Sequence, residues 1–231
     1  MRDGDRSLLV ERPFPGVVEL RLNRPTKRNA IDAVLVNRLN DTVVTLTPDD
    51  RVVVLSSTDP TVFSAGADLH LEPKRMAEVS DRLYGVYETL VASPCIIIAA
   101  VSGYAIGGGA QLALTADLRI GSAATEFRFV GAANGAVVAA WALPALVGRA
   151  KAMEILTRMT PVIGVEALSC GLLNTIADDP RTTALDWAAS LAKLDGKTLT
   201  GIKMVVLDAT GIAHALRLER SLNHGWPARS T

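Results

Sequence analysis

Two short runs built almost wholly of apolar residues, 52–55 (VVVL) and 95–101 (CIIIAAV), constrain this chain most. Runs of that length without polar alternation suit strands covered on both faces, as happens when helices flank a parallel sheet. Residues 17–23 (VVELRLN) add a strand with Val18, Leu20 and Leu22 on one face, stopped by Arg24-Pro25. From Ile31 the apolar spacing becomes helical through Val34, Leu35, Leu39 and Val43, with Asn29 as the expected N-cap. A second helix is expected over 74–92, ended by Ser93-Pro94, and a further short strand over 118–121. Glu126 precedes a strand-like stretch whose alternation turns it away from the Phe127 side. Beyond Arg149 the patterning is helical only, over 149–158, 165–171, 182–194 and 198–209, with a poorer helix around Leu216 and Leu218. Alternating strands and helices followed by helices alone predict an α/β core, placed at 1–180, and a short helical region at 181–231 that caps the core or joins subunits.

Two of the expected strands run into small-residue turns. Residues 63–69 (FSAGADL) follow the first apolar run, and Gly107-Gly108-Gly109 follows the second and opens a helix. Turns after parallel strands gather at the carboxyl edge of a sheet, where α/β proteins bind ligands. Glycines there let a ligand approach the backbone, and N–H groups of a helix's first turn have no partner within the helix. One N–H from each turn, converging on one oxygen, would make an oxyanion hole. The glycine spacing over 103–109 does not fit a dinucleotide fingerprint, and the chain has no Walker lysine and no G-x-S-x-G elbow.

Charge separates function classes. Lys+Arg and Asp+Glu both number 24, so no overall field favours nucleic acid or an anionic membrane surface. Cys95 and Cys170 lack C-x-x-C spacing and read as free thiols of a reducing compartment, and the histidines have no metal-site spacing. The opening MRDGDRS has no apolar run, and the apolar stretch at 95–101 is too short to span a bilayer. The expectation is a cytoplasmic protein with no membrane span and no bound metal.

The ordered motifs resemble those of the crotonase, or enoyl-CoA hydratase/isomerase, superfamily. Leu22-Asn23-Arg24-Pro25 with Asn29-Ala30-Ile31 matches L-N-R-P-x-x-x-N-A-L, and residues 63–69 match F-S-A-G-A-D-L. Residues 101–112 (VSGYAIGGGAQL) match V-x-G-x-A-x-G-G-G-x-x-L, and similar blocks follow at 116–120, 146–150 and 167–173. The resemblance implies the crotonase (ClpP-like) fold, a spiral of ββα turns with a helical C-terminal region assembling as a homotrimer or hexamer. It implies a coenzyme A thioester as substrate or ligand, with no permanently bound cofactor, and a place in fatty-acid metabolism. By motif position, the N–H groups of Ala67 and Gly108 would hold the thioester oxygen. Ala30, Ala65, Gly66, Ala67, Asp68 and Leu69 would line the coenzyme, and Lys27 and Arg28 would meet its phosphates.

The same alignment of motifs exposes two substitutions. Hydratases of this family carry two glutamates that position and activate water, and Gln111 and Gly131 stand at those positions. No Asp or Glu lies between Glu126 and Glu154. A general acid or base contributes about 10²–10⁴-fold, so loss of both predicts weak or no hydration. Asn134 and His70 are the remaining polar candidates near the site, His70 reading as a surface residue. The stretch 135–141 (GAVVAAW) also lacks the family's P-G-A-G-G-T run, which predicts an altered acyl pocket. These substitutions favour an acyl-CoA-binding or carrier protein. A working hydratase or isomerase using water or an unassigned group, and an interaction subunit with a vestigial site, are the alternatives.

Overall fold

A computed structural model describes residues 6–47, 49–68 and 71–226. The chain opens with a hairpin of β1 (Leu8–Phe14) and β2 (Val17–Leu22). Helix α1 (Ala33–Val43) crosses over to β3 (Val52–Ser57), which lies parallel to β2 with Val17 opposite Val52. A short β4 (Val62–Ser64) then leaves the sheet, and α2 (Pro73–Ala92) leads back to β5 (Ile96–Val101), parallel to β3. The step repeats through β6 (Tyr104–Ile106), α3 (Gly108–Leu114), β7 (Leu118–Gly121) and β8 (Glu126–Arg128). After α4 (Leu143–Val147) and α5 (Arg149–Arg158) come β9 (Val162–Ile163), α6 (Gly164–Ser169) and β10 (Thr175–Ile176). Helices α7 (Pro180–Leu191), α8 (Gly196–Thr210) and α9 (Ile212–Asn223) follow.

The strands form two sheets, in the orders β1-β2-β3-β5-β7-β10 and β4-β6-β8-β9. Each strand of the large sheet from β3 to β7 hands the chain to a short strand of the small one, as the ββα spiral requires. The apolar runs behave as expected: Val52, Val53 and Val54, like Ile97 and Ile98, have no exposed surface. Alternate side chains serve different cores. Val53, Leu55, Ile97 and Ala99 pack in the cluster that takes in α1, α2 and α3, while Val52, Val54, Ile96 and Ile98 meet Ala184 and Ala188 of α7. Two alanines four residues apart let α7 lie close on the sheet.

An ion pair fixes α7 in place. Glu19 of β2 is fully buried and accepts from Arg181 Nε and Nη2, both at 2.7 Å, and from the Ser56 hydroxyl at 2.6 Å. Four sequence expectations need correction. The stretch beyond Arg149 is not helical only: the short strands β9 and β10 lie within it and join the two sheets. Asn29 does not cap α1: Asp32 does, accepting the Leu35 N–H at 2.9 Å. Asn29 instead adopts a left-handed backbone (φ 50°), and its buried amide donates to Ser57 Oγ at 2.7 Å and to Phe63 O at 3.1 Å, tying its turn to the ends of β3 and β4. Strand β1 carries Glu11, Arg12 and Pro13 and lacks the apolar pattern of the others, so the sequence marks a strand only from Val17. Glu126 lies within β8, is buried, and pairs with Arg128.

Arg181 is a third exposed, and Glu19 keeps the Ser56 hydroxyl and, at 3.7 Å, Arg21 Nε when Arg181 is removed. Arg181→Met is expected to lower unfolding free energy in urea by about 1–2 kcal/mol, and adding Glu19→Leu to recover part of the loss. Equal stabilities for Arg181→Met and the parent would refute this account of α7 docking.

Candidate active site

The two glycine turns meet. Ile31 pairs with the first of them in a parallel bridge: its N–H donates to Gly66 O at 2.7 Å, and Asp68 N–H donates to Ile31 O at 3.2 Å. That ladder engages the residues on either side of Ala67 and turns the Ala67 N–H away from Ile31. A Cβ on Gly66 would sit 2.5 Å from Ile106 O and 3.2 Å from Gly108 N. One on Gly109 would sit 2.5 Å from the Ser64 Cβ. Only glycine permits either approach. Gly108 is the first residue of α3, whose hydrogen-bond ladder starts with Gln111 N–H to Gly107 O at 3.0 Å, so the Gly108 N–H has no acceptor within the helix. The Tyr87 hydroxyl donates to Gly108 O at 2.6 Å and steadies the turn from α2.

A cavity of about 130 Å³ opens beside these turns. Its walls come from both turns, from Val79, Leu83 and Tyr84 of α2, from Val130 and Val138 of the loop after β8, and from Asn223 and Trp226 at the end of α9. The basic turn joins the same neighbourhood, because Ala65 N–H donates to Arg28 O at 2.9 Å. Lys27 and Arg28 are exposed, and Ala30, Ala65, Ala67 and Asp68 are half-buried. Leu69 and His70 lie outside the described residues. Asn134 also borders the cavity, and its amide donates to Val130 O at 2.8 Å.

Gln111 lines the cavity and is buried, with its Oε1 accepting from Trp141 Nε1 at 2.9 Å and from Ala139 N–H at 3.2 Å. Both partners can only donate, so the amide is held with its oxygen to the wall and its NH₂ left to face other groups. Gly131 has no room for a larger residue. A Cβ there would fall 2.5 Å from Ala136 O and 2.6 Å from Val138 Cγ2. The loop has closed over the place where a second carboxylate would begin.

A carboxylate nevertheless reaches this wall from 108 positions further along the chain. Glu219 of α9 is 2% exposed; its Oε1 accepts from the Tyr84 hydroxyl at 2.8 Å and from Ala139 N–H at 3.1 Å, and its Oε2 accepts from Trp141 N–H at 3.0 Å. Gln111 and Glu219 therefore share the Ala139 N–H. Burial pushes Glu219 up to about 7, against the opposing pull of these donors. Burial and the neighbouring Glu219 keep the Tyr84 phenol protonated far above its ordinary range. Its hydroxyl gives its proton to Glu219 and receives one from Asn223 Nδ2 at 2.7 Å. Asn223 also holds Val137, accepting its N–H at 2.9 Å and donating to its carbonyl. Glu219 stands behind the cavity wall rather than among its lining residues, so its direct work is to hold residues 137–141 against α2 and α9. A search for acids along the sequence near the loop misses it. The signal present was a Glu in a helix with apolar neighbours at Leu216 and Leu218, too common to single out.

Two measurements check this wall. Gly131→Ala is expected to cost about 1–3 kcal/mol of stability through overpacking, read by urea denaturation, with no change showing that the loop yields freely. Glu219 carries its proton more tightly when folded (about 7) than at its ordinary 4.5, so its contribution is greatest below about 4.5 and declines as pH rises to about 7. The difference is about 3 kcal/mol. The stability of the parent relative to Glu219→Gln should therefore fall by about 2–3 kcal/mol from pH 5 to 8; parallel profiles would show an ordinary carboxylate.

Comparison with known proteins agrees with this architecture. The enoyl-CoA hydratase/isomerase family profile matches residues 14–215. The human mitochondrial enoyl-CoA hydratase domain-containing protein 2 is 36% identical over 172 residues, which cover 70% of this chain and 59% of that protein. The probable enoyl-CoA hydratase echA6 of Mycobacterium leprae is 33% identical over 208 residues, covering 87% of this chain and 83% of that one. The structure of Pseudomonas aeruginosa DspI superposes with a TM-score of 0.82 at 29% identity, covering all of this chain and 95% of its own. The chain belongs to the enoyl-CoA hydratase/isomerase family of the crotonase superfamily.

Proposed function

We propose that this protein binds an acyl-CoA thioester and adds water to an enoyl-CoA weakly or not at all. The observation that carries this reading is the meeting of Ala67 and Gly108 at a cavity where the positions of the family's two glutamates hold a tethered Gln111 and a Gly131 without room for a side chain. In this reading the Ala67 and Gly108 N–H groups donate to the thioester oxygen. Two such donors stabilise charge on that oxygen, each worth about 10²–10³-fold where chemistry runs through an enolate. Ala30, Ala65, Gly66, Asp68 and Leu69 line the coenzyme, and Lys27 and Arg28, exposed beside Ala65, meet its phosphates.

Hydration needs a base to draw a proton from water and an acid to return one to carbon. Gln111 offers neither, because an amide does not exchange protons near neutral pH and its oxygen already accepts two N–H donors. Gly131 offers no side chain, and Val138 occupies the space beside it. The Tyr84 hydroxyl is committed to Glu219 and Asn223. The site is thus suited to holding a thioester, the carrier role favoured by the sequence. The homotrimer or hexamer is supported by the apolar residues that α8 leaves exposed, among them Ile202, Met204 and Val205. Among the described residues no single helix is long and apolar enough to cross a membrane.

Calorimetry with butyryl-CoA should show binding, while loss of 2-enoyl-CoA absorbance should proceed at least about 10²-fold more slowly than with a family member bearing both glutamates. Gln111→Glu alone should not restore the rate, since the new carboxylate would share the Ala139 N–H with Glu219. Turnover equal to that of a two-glutamate enzyme would overturn this reading.

A further inference from the structure

The cavity beside the two turns is small. One stretch of its wall is Asn223, the last residue of α9, with Trp226 three residues beyond it. Asn223 makes two hydrogen bonds to the Val137 backbone, and Trp226 Nε1 donates to Asn134 O at 2.7 Å. Trp226 is itself set by its backbone N–H, which donates to Asn223 O at 2.8 Å. Both side chains line the cavity, so the half-buried indole is wall on one side and a strap across the 132–134 turn on the other.

The volume enclosed is about 130 Å³. An apolar protein cavity of about 150 Å³ holds one benzene, so this one takes about six carbons and a chain of ten does not fit. The lining suits such a tail, with Val79, Leu83, Val130 and Val138 supplying apolar contact.

We propose that Trp226, braced by Asn223, closes the acyl end of the site and restricts it to short acyl thioesters, of about four to six carbons. The inference rests on the acyl-CoA reading above and names its substrate class. With the thioester oxygen between Ala67 and Gly108, the chain runs toward α2 and the 130–138 loop and ends against the indole. Removing the indole takes away that wall and changes no residue of either turn.

The test is a calorimetric series of butyryl-, hexanoyl- and decanoyl-CoA on the full chain, on Trp226→Ala and on Trp226→Phe. For the parent, affinity should rise about fourfold per methylene from butyryl to hexanoyl, and decanoyl should bind at least about tenfold more weakly than hexanoyl. Trp226→Ala should bind decanoyl at least about tenfold more tightly than the parent does and should prefer it to hexanoyl. Trp226→Phe keeps an aromatic plug without the N–H and should retain the preference for short chains. General loosening of the fold would weaken all three ligands together and would not reverse their order. A parent that binds decanoyl as well as hexanoyl, or a folded Trp226→Ala with an unchanged length preference, overturns the proposal. If butyryl binds and only the length preference is missing, the acyl-CoA reading stands and this inference falls. If none of the thioesters binds any of the three folded proteins, both fall.

Discussion

Ser64 and Gly109 approach so closely that a single methyl group between them would collide with the Ser64 side chain and backbone. The rest of the site depends on that contact. It joins the end of β4 to the start of α3, and so brings the turn carrying Ala67 against the turn carrying Gly108. Those turns are otherwise separated in the chain by the whole of α2. Gly66 against Ile106 O is the second point of the same joint. Close-packed backbone is stiff, because there is no side chain whose rotamer can absorb a displacement. Two N–H groups mounted on such a joint keep their spacing, which is what stabilising charge on a single oxygen demands.

The polar network around Glu219 has the complementary task. The turns are held by the absence of side chains, whereas the loop at 137–141 is held by hydrogen bonds to buried ones. Gln111, Tyr84, Glu219 and Asn223 each contribute an atom to that loop or to one another. In a dry interior such bonds are strong, and each missing partner is costly. The loop is therefore fixed against the cavity despite departing from the usual family sequence. An amide at 111 fits this network better than a second carboxylate would, since Glu219 already brings one to the same N–H.

Much of this was legible in the sequence, for physical reasons that can be located. The runs at 52–55 and 95–101 read as doubly covered strands because they are short, rich in β-branched residues and bounded by turn residues. The glycine turns were legible because close backbone contact restricts the residue type to one. The amide at Gln111 could also be read, since it falls inside the ordered motif at 101–112. What could not be read was long-range or locally ambiguous. Asn29 has the residue type of an N-cap yet serves as a staple between turns, a choice set by Ser57 and Phe63 rather than by its neighbours. The Glu11-Arg12-Pro13 stretch hid β1. Glu219 reaches the site only because α9 packs on α2, and no local pattern announces which acid in a late helix will turn inward.

That last contact also sets an order of events. Tyr84 meets Glu219 across 135 residues and Asn223 across 139, and the Trp226 indole meets Asn134 across 92. Contacts of such separation are the slowest to form, because the intervening chain must first be confined. The spiral of strands can assemble from nearer neighbours while synthesis is still under way. The two glycine turns then exist before the cavity has a far wall. A nascent chain is in this sense an open dish, and it gains its far wall only when α9 has left the ribosome and docked.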